Sequence, residues 1–361
     1  MITILHEARE TRHPDSSADG EALWLDAPAV EAATGWQWKP EGLCRGTVCM
    51  PLAAAGAGEL RDGRLDIAAA WRRSGQPVVH DAASRTWVLG TGAQQRGAAL
   101  ATLQAPDFEL PDLDGNMHRL SDYRGRKVFL ATWASWCGCR LDLPIWESLA
   151  GELADQAFTV LAIALDNPES ARHWIEAAQP SFPCLIDATH RVADLYNLVN
   201  VPQAVWIDEQ GRIVRPPETA GSTDGFREMN RETGVVPESV VAERNRVKTH
   251  YVAAVRDWVL HGSASAHVLG ERQAAARLHL PGDAIAEAHA RFRLGRHLMQ
   301  AGQADEGRAQ IDEATRLHPD SWAMWRQAAP KNERGLAAGP AFWERVDALG
   351  DRPYYPRADI G

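Results

Sequence analysis

Residues 128–144 read VFLATWASWCGCRLDLP. An apolar run rich in β-branched and aromatic residues enters a turn that carries Cys137 and Cys139. A helix-like segment with an early proline, Pro144, follows. A strand that delivers a cysteine to a helix start is the arrangement thiol chemistry needs. The thiolate is the nucleophile, and the positive end of the helix dipole stabilises it.

The flanks extend the pattern. Upstream, the turn residues 112–115 separate two short apolar runs and predict a hairpin. Residues 127–133 predict a buried strand, and a helix is expected from Cys139 to about Ala154. FTVLAIAL, 158–165, is an apolar run of parallel-strand type. A helix over 169–178 and a strand over 182–187 come next. That strand holds Cys184, read as a core residue. A short helix over 190–198 precedes Val201-Pro202. QAVWID and RIVRP then form a second hairpin around 209–211. The order predicts an α/β fold with a mixed sheet flanked by helices.

This part resembles the thioredoxin-fold redoxins of the TlpA/ResA-like and AhpC/TSA class, over roughly residues 104–218. The marks are PDFELPDLDG, HRLSDYRGRKV, WASWCGCR followed by Pro144, and VPQAVWIDEQGRIV. The resemblance implies a thioredoxin-like fold and a redox site of Trp133, Trp136, Cys137 and Cys139. It implies that Val201-Pro202 is a cis-proline loop facing that site and presenting backbone to a thiol substrate, with Trp133 beside it. It also puts Asp142 where such redoxins often carry an active-site glutamate, and Pro144 at the position of a helix-kinking proline.

One departure from the family pattern stands out. The family has two residues between its cysteines, and here Gly138 alone separates them. Residues two apart on a helix point about 200° from each other. A disulfide needs Cβ atoms about 3.5–4.5 Å apart. Cys137 and Cys139 can therefore pair only if Cys137 sits in the turn ahead of the helix. Otherwise Cys137 acts alone and is resolved in a rearranged state, by a partner thiol, or by Cys44 and Cys49. Asp142 is either a proton-transfer group or a favourable acid near a helix start. Arg140 reads as a solvated surface charge.

Before this region, residues 1–98 read as a small α+β domain. Residues 1–19 are polar and expected to fray. A short helix is expected from about Asp26 to Gly35, a helical run over 63–73, and two strands around a turn in PVVHDAASRTWVLG. Residues 92–104 read as a linker. Cys44 and Cys49, with four residues between them, are two unrelated buried cysteines, a second redox pair, or a metal site. The last is disfavoured because no further Cys or His pair with ligand spacing lies nearby.

After it, residues 236–361 read as a helical domain. One tetratricopeptide-like repeat is marked by Leu294, Gly295, Leu298, Gly307, Ile311, Ala314 and Pro319, and an aromatic tail is expected to wrap the body. A single repeat must pack on neighbours. It offers either a docking surface for a protein partner or a buttress that completes a core.

Composition bounds the function. The 361 residues are 45 % hydrophobic and 24 % charged with a net charge of −10, which argues against nucleic acid as a partner. The N-terminus has no apolar segment of signal-peptide length, and no run approaches the roughly 20 apolar residues of a membrane helix. No membrane is therefore expected and the cytoplasm is the default, where the five cysteines are more often catalytic or metal-binding than structural disulfides. The leading expectation is a thiol–disulfide oxidoreductase without cofactor or metal, with Cys137 as nucleophile and Cys139 as resolving thiol. It would act on a protein or small-molecule disulfide and draw on a thiol reductant. The alternatives are a thiol-dependent peroxide reductase, a non-catalytic interaction scaffold and a metal carrier. The first of these lacks the Pro-x-x-x-Thr-x-x-Cys spacing of a typical peroxiredoxin.

Overall fold

Five strands form the sheet that carries the cysteine stretch. In the computed structural model, which describes residues 1–52 and 58–360, their order is Cys184–Ile186, Phe158–Ala164, Lys127–Trp133, Gln203–Ile207 and Ile213–Thr219. The first three run parallel, and the last two are antiparallel to their neighbours. This is the mixed α/β sheet of a thioredoxin-like fold. Helices Leu143–Glu152, Pro168–Ala178 and Arg191–Tyr196 form the connections. The expected hairpin is Glu109–Pro111 paired with Met117–Arg119.

The register explains where the site lies. Val128 pairs with Ile207 and Ala131 with Ala204. The carboxyl end of Lys127–Trp133 therefore lies beside the amino end of Gln203–Ile207. Cys137 leaves from the first and Val201-Pro202 enters the second, so both come to one edge. In open α/β sheets that carboxyl edge is where ligands bind.

The chain divides into two compact units. One comprises Met1–Ala98 with Leu280–Asp320, and the other Ala99–His279 with Ser321–Gly361. The region 236–361, expected as one domain, is thus shared between them. Helix Glu238–His261 joins the redoxin unit because its buried face, Tyr251, Ala254, Val255, Trp258 and Val259, recurs at three- and four-residue spacing and enters that unit's core. Residues from Ser321 onward also belong there, and Trp322, Phe342, Val346 and Tyr354 form a hydrophobic cluster of their own.

The first unit corrects three other expectations. Residues 1–19 are not frayed. Ile2–His6 is a buried strand, parallel to Thr86–Leu89 and antiparallel to Arg9–His13. The apolar Ile2, Ile4 and Leu5 gain their partners from a strand some eighty residues away, which local polarity cannot reveal. The linker over 92–104 contains the helix Ala93–Ala101, and the run 63–73 is a strand, Arg64–Asp66, followed by the helix Ile67–Arg73.

The marked helices of the C-terminal region form a pair within this unit, Asp283–Gln300 and Ala304–Leu317. Leu294 and Leu298 pack with Leu5, Val79 and Val88 of the sheet. The two helices approach at Gly295 and Gly307. A Cβ on Gly295 would lie 2.6 Å from the Gly307 carbonyl and 2.6 Å from Ile311 Cγ1. Gly295→Ala, which in an open helix would stabilise, is expected here to destabilise this unit by about 1–3 kcal/mol through overpacking. Chemical denaturation checks this, and unchanged stability would refute the close approach.

Candidate active site

Cys137 stands ahead of the helix, as pairing of the two cysteines would require. It is extended, with φ −113° and ψ 148°, and caps the 3-10 turn Gly138–Asp142. The α-helix proper begins at Leu143, with Pro144 in its first turn, where a missing N–H costs nothing. Both thiols are free, and the Cys139 N–H donates to Cys137 Sγ at 3.4 Å.

Val201 O accepts from Cys137 Sγ at 3.5 Å, and the Val201-Pro202 peptide is cis, as the resemblance implies. Thr132 holds the loop in place: its Oγ1 donates to Gln203 O at 2.9 Å and accepts from Gln203 N at 3.1 Å.

The site is covered by residues from outside the redoxin stretch. Arg326, in the helix Trp322–Ala328, donates through Nη2 to Trp136 O at 3.0 Å and through Nη1 to Tyr354 Oη at 3.0 Å. Ala337 N donates to Trp136 O at 3.0 Å, and Trp136 Nε1 donates to Gln327 Oε1 at 2.6 Å. Tyr355 Oη lies 3.8 Å from Cys137 Sγ and donates to Val201 O at 3.2 Å. Asn200 and Tyr354 are joined by two further bonds of 3.3 Å. Cys137 is consequently 2 % exposed and Cys139 6 %, so a bulky disulfide reaches neither without displacing this cover.

Electrostatics drives the two thiols apart. Burial alone would raise Cys137. The Cys139 donors, the Arg326 charge and the Tyr355 hydroxyl outweigh it and bring Cys137 down to about 6. Burial, the neighbouring Cys137 and the Asp142 carboxylate push Cys139 well above the ordinary thiol value. The opposite shifts set a readily ionised thiol, Cys137, beside one that keeps its proton, Cys139. Burial also works against the Arg326 charge, and Tyr354 and Cys137 more than compensate, holding it above its ordinary value.

The residues expected at the site fare differently. Trp136, Cys137, Cys139, Val201 and Pro202 come together. Asp142 lies within electrostatic reach of Cys139 and pairs with Lys248 Nζ at 2.8 Å, which also donates to Ala220 O at 2.6 Å. Trp133 ends the central strand, 3 % exposed, and its indole N–H has no partner among the described residues. It presents no face to a substrate in this state. Arg140 is not a solvated charge. It stacks 3.9 Å from the Trp174 ring centre and donates to Ser135 O and Arg334 O, because the cover lies over it. Cys184 is buried in its strand, and burial raises it to about 12.

Cys44 and Cys49 are one disulfide, S–S 2.02 Å, at facing positions of the hairpin Gly42–Arg45 and Val48–Met50. Reading them as two unrelated cysteines is thereby overturned. Glu41 lies within 4.8 Å of both sulfurs, but sulfurs bonded to each other are not thiolate ligands. Sequence reasoning missed Arg326, Tyr355 and Lys248. The one available signal was the aromatic, arginine-bearing composition of WAMWRQ and RPYYPR.

A model of the AhpC/TSA family matches residues 102–215. The thiol-disulfide oxidoreductase ResA of Halalkalibacterium halodurans is 34 % identical over 146 residues, 40 % of this chain and 82 % of that protein. ResA of Geobacillus kaustophilus is 38 % identical over 111 residues, 30 % of this chain, and the chain spans 64 % of that relative's length. Among solved structures, a DsbE-type thiol:disulfide interchange protein of Chlorobium tepidum matches at 25 % identity with a TM-score of 0.30, over 40 % of this chain and 95 % of that one. Among the described residues no helix is long and apolar enough to cross a membrane.

Proposed function

Because this chain belongs to the thioredoxin-fold redoxin family that includes the ResA proteins, we propose that it catalyses thiol–disulfide exchange through its Cys-Gly-Cys motif. The Cys137 thiolate attacks a substrate disulfide. One substrate sulfur leaves as a thiolate and takes up a proton, and a mixed disulfide remains on Cys137. Cys139 then loses its proton, with Asp142 as the nearby base, and attacks Cys137 Sγ. The second substrate thiol is released, leaving a Cys137–Cys139 disulfide. An external dithiol returns the two electrons. The observation that carries this reading is the placement of Cys137, which caps the turn ahead of the helix with the Cys139 N–H on its sulfur and the Val201 carbonyl of the cis-proline loop 3.5 Å away; the opposite shifts of the two thiols support it.

The test is trapping. Cys139→Ser leaves the mixed disulfide unresolved, and mass spectrometry of the trapped adduct identifies the substrate. Absence of any Cys137 adduct under oxidising turnover would sink the proposal. The reaction is also expected to follow the Cys137 thiolate. Its rate constant with a small disulfide should rise with pH through about 6 and level off above. A profile that climbs only near the ordinary thiol range would contradict this assignment.

The near-complete burial of both thiols favours a second reading, reduction of a small peroxide. The Cys137 sulfur would take one peroxide oxygen as the O–O bond breaks and an alcohol or water leaves. Cys139 would then displace water from the sulfenic acid and form the disulfide. Peroxide consumption against disulfide consumption separates the two. A cytoplasmic location remains part of the proposal. It predicts that Cys44 and Cys49 cycle as a second redox pair, since reducing compartments keep thiols reduced. The helix pair 283–317 is the surface proposed for a protein partner, with the tetratricopeptide-like spacing of its residues as support.

A further inference from the structure

Arg326 is 4 % exposed. Among the described residues its guanidinium donates to neutral oxygens alone: Trp136 O, Ala337 O and Tyr354 Oη, at 3.0, 3.3 and 3.0 Å. Among the described residues no carboxylate pairs with it. A buried charge without a counter-charge is costly, and a guanidinium does not escape the cost by losing its proton. The group placed to balance it is Cys137, the residue next to Trp136. Tyr355 follows Tyr354 and brings its hydroxyl to 3.8 Å from Cys137 Sγ. That hydroxyl has one proton. It goes to Val201 O when Cys137 is a thiol, and it can turn to the sulfur once the thiolate forms.

We propose that Arg326 and Tyr355 are positioning residues of the redox site, Arg326 supplying the counter-charge of the Cys137 thiolate and Tyr355 the hydroxyl that steadies its Sγ. The inference rests on Cys137 as the nucleophile of the proposed reaction and states what makes it one. Both residues lie outside the stretch that resembles the redoxins. The thiolate is thus completed by the C-terminal segment. Tyr355 is also the side chain that meets the outside. It lines an open cavity of about 740 Å³ together with Asp224, Arg227, Glu243 and Arg357. Among the described residues, Arg140, Asp142, Arg326, Tyr354 and Tyr355 are the ionisable groups that act most on Cys137 and Cys139.

The test is an ultraviolet titration of the thiolate in the full-length chain, each variant referenced to its Cys137→Ser counterpart. Arg326→Gln is expected to raise the Cys137 midpoint by a unit or more, about tenfold less thiolate at a pH well below both midpoints. Arg326→Lys should restore most of it, and Tyr355→Phe should produce a smaller rise. An unmoved midpoint in folded Arg326→Gln overturns the proposal. If that variant does not fold, Tyr355→Phe, which removes one oxygen, carries the test, and an unmoved midpoint there overturns it equally. The titration needs no substrate. Absence of disulfide turnover would count against the proposed reaction while leaving this result readable.

Discussion

Cys137→Ser abolishes thiol–disulfide turnover, with an expected loss of at least about 10³-fold, the scale of removing an activated nucleophile. The change exchanges sulfur for oxygen in a side chain that is 2 % exposed, so the surrounding packing is kept. What is lost is the anion. A serine hydroxyl does not ionise near neutrality, even with the donors of Cys139 and Tyr355 and the charge of Arg326 in place. Cys139 does not substitute, because burial, the largest cause, and the Asp142 carboxylate still push its thiol up once the Cys137 contribution is gone. The matching Cys139→Ser variant behaves differently. It completes the first exchange and stops at the mixed disulfide, so a single-turnover burst survives. Steady-state assays with a model disulfide, paired with adduct mass spectrometry, measure both. Turnover in Cys137→Ser within tenfold of the parent chain would show that the chemistry lies elsewhere.

What could be read from the sequence followed the range of its patterns. Lys127–Trp133 was expected over these same residues, since a buried strand is a continuous apolar run. The hairpin at 112–115 was legible from its turn chemistry, and the cis-proline loop from the family motif. Ile2–His6 was not, because its burial depends on Thr86–Leu89. The same holds at the site. Gly138 as the sole spacer announced an unusual thiol pair. The groups that tune it arrive from 190 residues away at Arg326 and 218 at Tyr355, and no local periodicity encodes their destination. Arg140 misled for the same reason. An arginine on an exposed turn reads as solvated until a distant segment covers it.

Trp206→Ala is expected to cost the redoxin unit about 3–5 kcal/mol, the range for emptying a large aromatic site in a core. Trp206 is fully buried in the strand Gln203–Ile207. Its ring stacks on Trp258 at 5.0 Å between centroids and 25° between planes, and its Nε1 donates to Tyr251 Oη at 3.0 Å. Both partners belong to the helix Glu238–His261, so the substitution cuts the sheet from that helix. Tyr251 keeps its bond to Glu218 Oε1 at 3.0 Å, and Arg215, lying over the Trp206 ring, keeps its two bonds to the same carboxylate. The bonds to the Glu218 carboxylate therefore survive, and the loss reports the packing of the ring together with its one hydrogen bond to Tyr251. Trp206→Phe should recover part of it. In a double-mutant cycle, Trp206→Ala and Trp258→Ala should be less costly together than their sum, since each empties the same contact. Urea unfolding measures all four chains. A loss below about 1 kcal/mol for Trp206→Ala, the level of an ordinary substitution, would mean that the helix after residue 237 is an appendage. The expected loss makes it part of the core that sets Val201-Pro202 against Cys137, because the strand holding Trp206 begins directly after that proline.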